Sequence, residues 1–124
     1  MIKIQFTIYG NQENIAGNPI PYFRQTQGSK FSKESKRYHQ WQDHVRDALI
    51  VAGYNMSHFH GMPDAEVTII IHWASEAHAD ADNIYKGILD SLFENDKHIS
   101  CGGIHFEHAA DKKGRVDVTI KFMP

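Results

Sequence analysis

The sequence predicts a single α/β domain of the mixed, α+β kind: one sheet of about four strands with two helices packed on it, in the order β-α-β-α-β-β. Three observations carry this. Residues 2–9 and 115–122 alternate apolar and polar with a period of two. Residues 38–52 and 84–92 repeat their apolar side chains at helical spacing. The 124 residues, 41% hydrophobic and 23% charged, suffice for one core and show no repeat, low-complexity tract or dividing linker.

Ile2, Ile4, Phe6 and Ile8 face one way and Lys3, Gln5, Thr7 and Tyr9 the other, the pattern of a half-buried strand. Residues 10–31, with Gly10, Gly17, Pro19, Pro21 and Gly28, read as a long loop, and loops of that length are usually functional or disordered. Ser32 or Ser35 caps the first helix; Tyr38, Trp41, Val45, Ala48, Leu49 and Ala52 form its apolar stripe, and Gly53 closes it. Residues 54–64 read as a loop. Ala65 to Trp73 is so apolar that it predicts a central strand buried on both faces.

After residues 74–79 comes an amphipathic helix: Ile84, Tyr85, Ile88, Leu89 and Leu92 on one side, Asp82, Asn83, Lys86 and Asp90 on the other. Ile99 to His108 is a weaker strand, with a bulge expected at Gly102-Gly103. Asp111-Lys112-Lys113-Gly114 reads as a hairpin turn into the last strand, whose inward residues are Val116, Val118, Ile120 and Phe122.

No apolar run reaches the ~20 residues of a membrane helix. The N-terminal residues lack a signal-peptide pattern and Cys101 is the single cysteine, so the expectation is a reducing cytoplasm, with no membrane and no intramolecular disulfide. Net charge is −2, which alone argues against nucleic acid, but the charge is unevenly spread. Residues 1–60 hold seven Lys/Arg against four acids, and residues 61–124 six against eleven. Arg24, Lys30, Lys33, Lys36 and Arg37 cluster with only Glu34 opposing them, and Tyr22, Phe23 and Phe31 are interleaved. Such a group suits DNA phosphates with aromatic packing on sugars or bases; the plainer reading is a solvated loop and helix start.

The chemistry concentrates at Asp80, Asp82, Lys86 and Asp96. Carboxylates at i and i+2 of an extended segment share a side, and Asp82 and Lys86, at i and i+4, share a helix face. Three acids suit Mg²⁺, with Mn²⁺ as a substitute: hard cations that take carboxylate oxygens and keep waters for substrate. The ammonium of Lys86 suits a phosphate oxygen or charge developing in a transition state. Asp90 is placed to orient Lys86, and Asn83 to support the site through its amide. The competing reading of the same spacing is an N-cap followed by a surface ion pair worth about 0.2–0.5 kcal/mol. Nine histidines invite zinc, but His58/His60 and His105/His108 match no zinc-finger or HExxH spacing; His78, two residues before Asp80, is placed to bind substrate or assist proton transfer, the plainer reading being an exposed loop residue.

The run Asp80-x-Asp82-Asn83-x-x-Lys86-x-x-x-Asp90-x-Leu92, with Asp96 beyond it, resembles the signature of the RusA family of Holliday-junction resolvases, common in phages and prophages. Gly17-Asn18-Pro19-Ile20-Pro21 through Arg24 to Phe31-Ser32 is similar to that family's Pro- and Arg-containing N-terminal loop. The resemblance covers most of the chain, and its specific part is the central motif. It implies a homodimeric, Mg²⁺-dependent endonuclease that nicks four-way DNA junctions symmetrically, leaving 5′-phosphate and 3′-hydroxyl ends. Asp80, Asp82 and Asp96 would hold the metal and Lys86 would assist catalysis. Three departures stand out: Ser75–Ala79 is not basic, where the family often has Arg or Lys; the turn from Asp90 to Asp96 is short; and the usual acidic pair at the third ligand is Asn95-Asp96 here. The alternatives are a junction-binding module without nuclease activity and a metal-dependent hydrolase of small phosphate esters, which needs a closed pocket.

Overall fold

A computed structural model describes residues 2–24, 26, 28, 32–59 and 64–123. Strand β1 (Ile2–Tyr9) leads through a loop to helix α1 (Lys33–Val51), then a short 3₁₀ turn (Met56–Phe59), strand β2 (Asp64–Trp73), helix α2 (Ala81–Leu92), strand β3 (Ile99–His108) and strand β4 (Arg115–Met123). The predicted order and the mixed four-stranded sheet are present. Among the described residues no helix is long and apolar enough to cross a membrane.

The sheet order is β1-β4-β2-β3, with β2–β3 parallel and the other two pairs antiparallel. Both helices lie on one face. Ile4, Phe6, Ile8, Val67, Ile69, Ile71, Val116, Val118 and Ile120 meet Trp41, Val45, Leu49, Ile84, Ile88 and Leu92 in one core. Burying each such side chain stabilises by roughly 1.5–3 kcal/mol before entropy is counted.

β2 is central, as expected, but it is not buried on both faces. Ala65, Val67, Ile69, Ile71 and Trp73 are buried, whereas Ile70, on the helix-free side, is 40% exposed. With β4 antiparallel beside it, this sheet keeps one solvated face, which carries Thr7, Asp117, His72 and Glu107 in a row across all four strands.

Nor is the turn at 111–114 a hairpin. β4 lies on the other side of β2 from β3, so the chain crosses over the end of β2, pinned by Ala109 N–H donating to Trp73 O at 2.9 Å. The bulge expected at Gly102-Gly103 is present: Val67 faces Cys101 and Thr68 faces Gly103. A Cβ on Gly102 would lie within 2.2 Å of Thr68 Oγ1, so that position has no room for a side chain.

Ser32, not Ser35, caps α1, accepting from Ser35 N–H at 3.1 Å. Gly53, at φ +97°, reverses the chain after α1 and its N–H donates to Ile50 O. Residues 10–24 are ordered by asparagines. Asn11 Nδ2 donates to Asn18 O, and its Oδ1 accepts from the Glu13 and Asn14 amides. Asn18 then grips the loop before α2: Oδ1 accepts from Ala74 N–H at 2.6 Å and Nδ2 donates to Ala77 O at 3.1 Å.

Candidate metal centre and nucleic-acid interface

α1 and α2 run in the same sense down the sheet: Tyr38 lies against Gly87 and Asp90, and Arg46, two turns further along α1, reaches Ser91 and the concavity that Phe93 lines. The starts of both helices therefore collect at the end of the sheet where β2 and β3 finish. Parallel α/β units place their ligand sites at the carboxyl ends of strands. Asp80, Asp82, Asn83 and the basic start of α1 all lie there.

Asp80 occupies the N-cap position of α2 (φ −70°, ψ 141°), yet its carboxylate makes no capping hydrogen bond. Its extended backbone runs straight into the first helical turn, which holds Asp82. Both acids are exposed, and among the described residues neither carboxylate takes a hydrogen bond or ion pair. The i,i+4 pair of Asp82 and Lys86 does not form either. The Lys86 ammonium sits over the Tyr22 ring, 4.3 Å from its centroid, a cation–π contact that holds the charge while leaving its donors open. Tyr22 is itself fixed. Its N–H donates to Asn83 O at 3.0 Å, its ring meets Tyr38 edge-on at 5.6 Å, and its backbone lies against Gly87. A Cβ on Gly87 would come within 3.3 Å of Tyr22 N, so glycine permits this approach. Asn83 supports the site through its backbone carbonyl.

Asp90 has another task than the one expected. It accepts from Tyr38 Oη at 2.6 Å and from Gln42 Nε2 at 3.0 Å, tying α2 to α1, and makes no ion pair with Lys86. The Tyr38 hydroxyl, buried and donating to a carboxylate, is held well above the ordinary tyrosine pKa by desolvation first and by Asp90 second.

Asp96 is not gathered with Asp80 and Asp82 inside one chain. α2 has 12 residues, about 18 Å at 1.5 Å per residue, and it carries the chain from the end of β2 back to its beginning. Asp96 lies there, its carbonyl accepting from Ile99 N–H where β3 sets out beside Ala65. The crossover that makes β2 and β3 parallel is what separates the acids.

In the basic group, Arg24, Lys33 and Lys36 are exposed at the α1-start end, while Arg37 is engaged by Glu13. Lys30 and Phe31 lie outside the described residues, as does His60. A concavity of about 390 Å³ lies at the opposite end, lined by Arg46, Asp90, Phe93, Asn95 and His98 among others. None of Asp80, Asp82 and Lys86 lines it.

Sequence reasoning missed a further cluster. Glu76, His78 and His108 each place one ligating atom within 4.8 Å of the others, the one such group of three among the described residues. His78 and His108 are 30 positions apart and meet only through strand pairing, so no local spacing announces them. No protein-family model matches the chain, and no curated protein is significantly similar to it.

Proposed function

We propose that this chain is a metal-dependent endodeoxyribonuclease of the RusA type, which nicks branched DNA, four-way junctions above all, in recombination and repair. The observation that carries the reading is the state of Asp80, Asp82 and Lys86. Among the described residues the two carboxylates have no partner, and the Lys86 ammonium is held on Tyr22 instead of on an acid. The plainer reading of the spacing, a side-chain cap followed by an Asp82–Lys86 ion pair, is not what these groups form.

Asp80 and Asp82 offer the all-oxygen donors that suit Mg²⁺ or Mn²⁺. Such a cation, when bound, supplies positive charge at a phosphoryl oxygen and a more acidic water. Lys86 pairs with a non-bridging phosphate oxygen. The start of α2 favours the same anion through its unsatisfied amides. Arg24, Lys33 and Lys36 hold flanking phosphates, with Arg37 a lesser contributor because Glu13 engages it. This reading has the protein at work in the cytoplasm of a bacterial or phage-infected cell.

The third acid comes, in this reading, from a second copy. β3 is a ten-residue edge strand with no strand paired on its outer side among the described residues, and Phe106 on it is 63% exposed. Two such strands paired antiparallel about a two-fold axis set the beginning of one beside the end of the other. Asp96 of each subunit then reaches the end that carries the partner's Asp80 and Asp82. A homodimer would thus have two equivalent sites for two equivalent strands.

The test is cleavage of a labelled four-way junction in Mg²⁺ by wild type and Asp82→Asn. Wild type should nick, and the variant should bind the junction and fold normally but not nick. Equal cleavage by both proteins would overturn the assignment. Tight binding by wild type with no cleavage in Mg²⁺ or Mn²⁺ would indicate a binding module instead.

A further inference from the structure

We propose that Glu76, His78 and His108 form a second cation site, selective for a transition metal of the Zn²⁺ class and separate from the Asp80–Asp82 pair. The proposal does not depend on the nuclease reading. Its geometry starts from the sheet: Trp73 and His108 are register partners at the matched ends of β2 and β3. The buried Trp73 indole forms a floor on which His78 stacks, centroids 3.8 Å apart and planes 8° from parallel. His78 Nδ1 lies 2.8 Å from Ala79 O. A carbonyl oxygen only accepts, so Nδ1 carries the proton and Nε2 keeps its lone pair for a metal. An outer hydrogen bond of this kind orients metal-bound histidines generally.

The other two donors converge on the same spot. His108 Nε2 is 3.5 Å from Glu76 Oε1, and one ligating atom from each of the three residues lies within 4.8 Å of the rest. The loop that carries Glu76 and His78 is braced by its own turn, His78 N–H to Glu76 O at 2.9 Å, and by the Asn18 clamp on Ala74 and Ala77. Ring, strand and loop are all positioned before any metal arrives. All three side chains are exposed, so an ion reaches them from solvent.

The donor set decides the metal. Two imidazoles and one carboxylate form a borderline set that favours Zn²⁺, or Co²⁺ as its spectroscopic stand-in, over Mg²⁺, which prefers oxygen alone. Three protein donors also leave a coordination position open to water or an anionic oxygen.

The experiment titrates the full-length protein with Zn²⁺ by calorimetry and with Co²⁺ by visible absorption, with excess Mg²⁺ present to occupy carboxylate sites. Wild type should bind one ion with tetrahedral-type Co²⁺ bands. His108→Ala and His78→Ala should each lose it, weakening affinity by more than the about 10–100-fold that loss of an outer partner costs. His105→Ala, on the other face of β3, and Asp82→Asn should both retain the site. Unchanged stoichiometry and affinity in the His78 and His108 variants would overturn the proposal, as would absence of binding by wild type. Loss in Asp82→Asn would show that the ion belongs to the acids and would equally overturn it.

Discussion

If Asp96 acts across the dimer, two inactive variants should restore activity to one another, and the amount is calculable. Consider Asp82→Asn mixed in equal parts with Asp96→Asn after unfolding and refolding together. Each homodimer carries one damaged residue in both sites and should not nick. In the mixed dimer one site joins both damaged residues, and the other joins an intact Asp80–Asp82 pair to an intact Asp96. Random assortment makes about half the dimers mixed, each with one working site of two, so nicking should recover to about a quarter of the wild-type rate per dimer. The products are diagnostic too, because a single working site leaves nicked junctions and no paired cuts. The assay is a strand-labelled junction in Mg²⁺, resolved on native and denaturing gels. If all three acids acted within one chain, every site in the mixture would be damaged and no activity would return. That result would refute the placement of Asp96, as would full activity of Asp96→Asn alone. The structural basis is the about 18 Å of α2 between the two ends of the motif.

Two further outcomes follow from the clasp between the helices. Tyr38→Phe removes the donor to the Asp90 carboxylate and should lower stability by about 1.5 kcal/mol, the low end for a bond to a charged group because Asp90 is open to water. Urea unfolding should show a lower midpoint at an unchanged slope, and an unmoved midpoint would refute the role of the clasp. The second outcome concerns alkaline pH. Burial, reinforced by Asp90 at Tyr38 and by Cys101 at Tyr85, raises both tyrosine pKa values in the folded protein. The unfolded chain therefore releases these protons first, above pH ~10, and the folded state binds more of them. Stability should fall as pH rises past that point, by up to about 1.4 kcal/mol per pH unit for each tyrosine. Tyr38→Phe should flatten the decline, and an equal slope in wild type and variant, followed by urea unfolding between pH 9 and 11, would contradict it.

The parts of this fold that show in the sequence are those whose signal is local. β1 and β4 alternate because each has one face on the core, and the side chains that alternate are the buried ones: Ile4, Phe6 and Ile8, then Val116, Val118, Ile120 and Phe122. The wheel of α2 separates Ile84, Ile88 and Leu92 from Asp82 and Lys86 for the same reason. What does not show is pairing. Nothing in Ile99–His108 says that it lies parallel to β2, and so nothing says that the 111–114 turn spans a strand instead of closing a hairpin. Ile70 misleads because an exposed isoleucine on the solvated face looks like a buried one. Asp90 misleads because an exposed carboxylate on the face of Lys86 also lies within reach of α1. For Asp96 a signal exists: a 12-residue helix between two acids is a measure of length, and it rules out their meeting within one chain unless the chain turns back.

The pairing of the first strand with the last has a consequence for synthesis. Ile2 lies opposite Phe122 and Tyr9 opposite Arg115, so 105 residues intervene between the nearest paired ends. At about 5–20 residues per second, β1 leaves the ribosome roughly 5–20 s before its strand partner β4. Through that interval Ile4, Phe6 and Ile8 have no strand beside them, and α1 is the first cover to emerge. The polar residues between them, Gln5 and Thr7, with Lys3 at the exposed start, interrupt what would otherwise be an aggregation-prone apolar run. Their alternation thus serves the nascent chain before it serves the finished sheet.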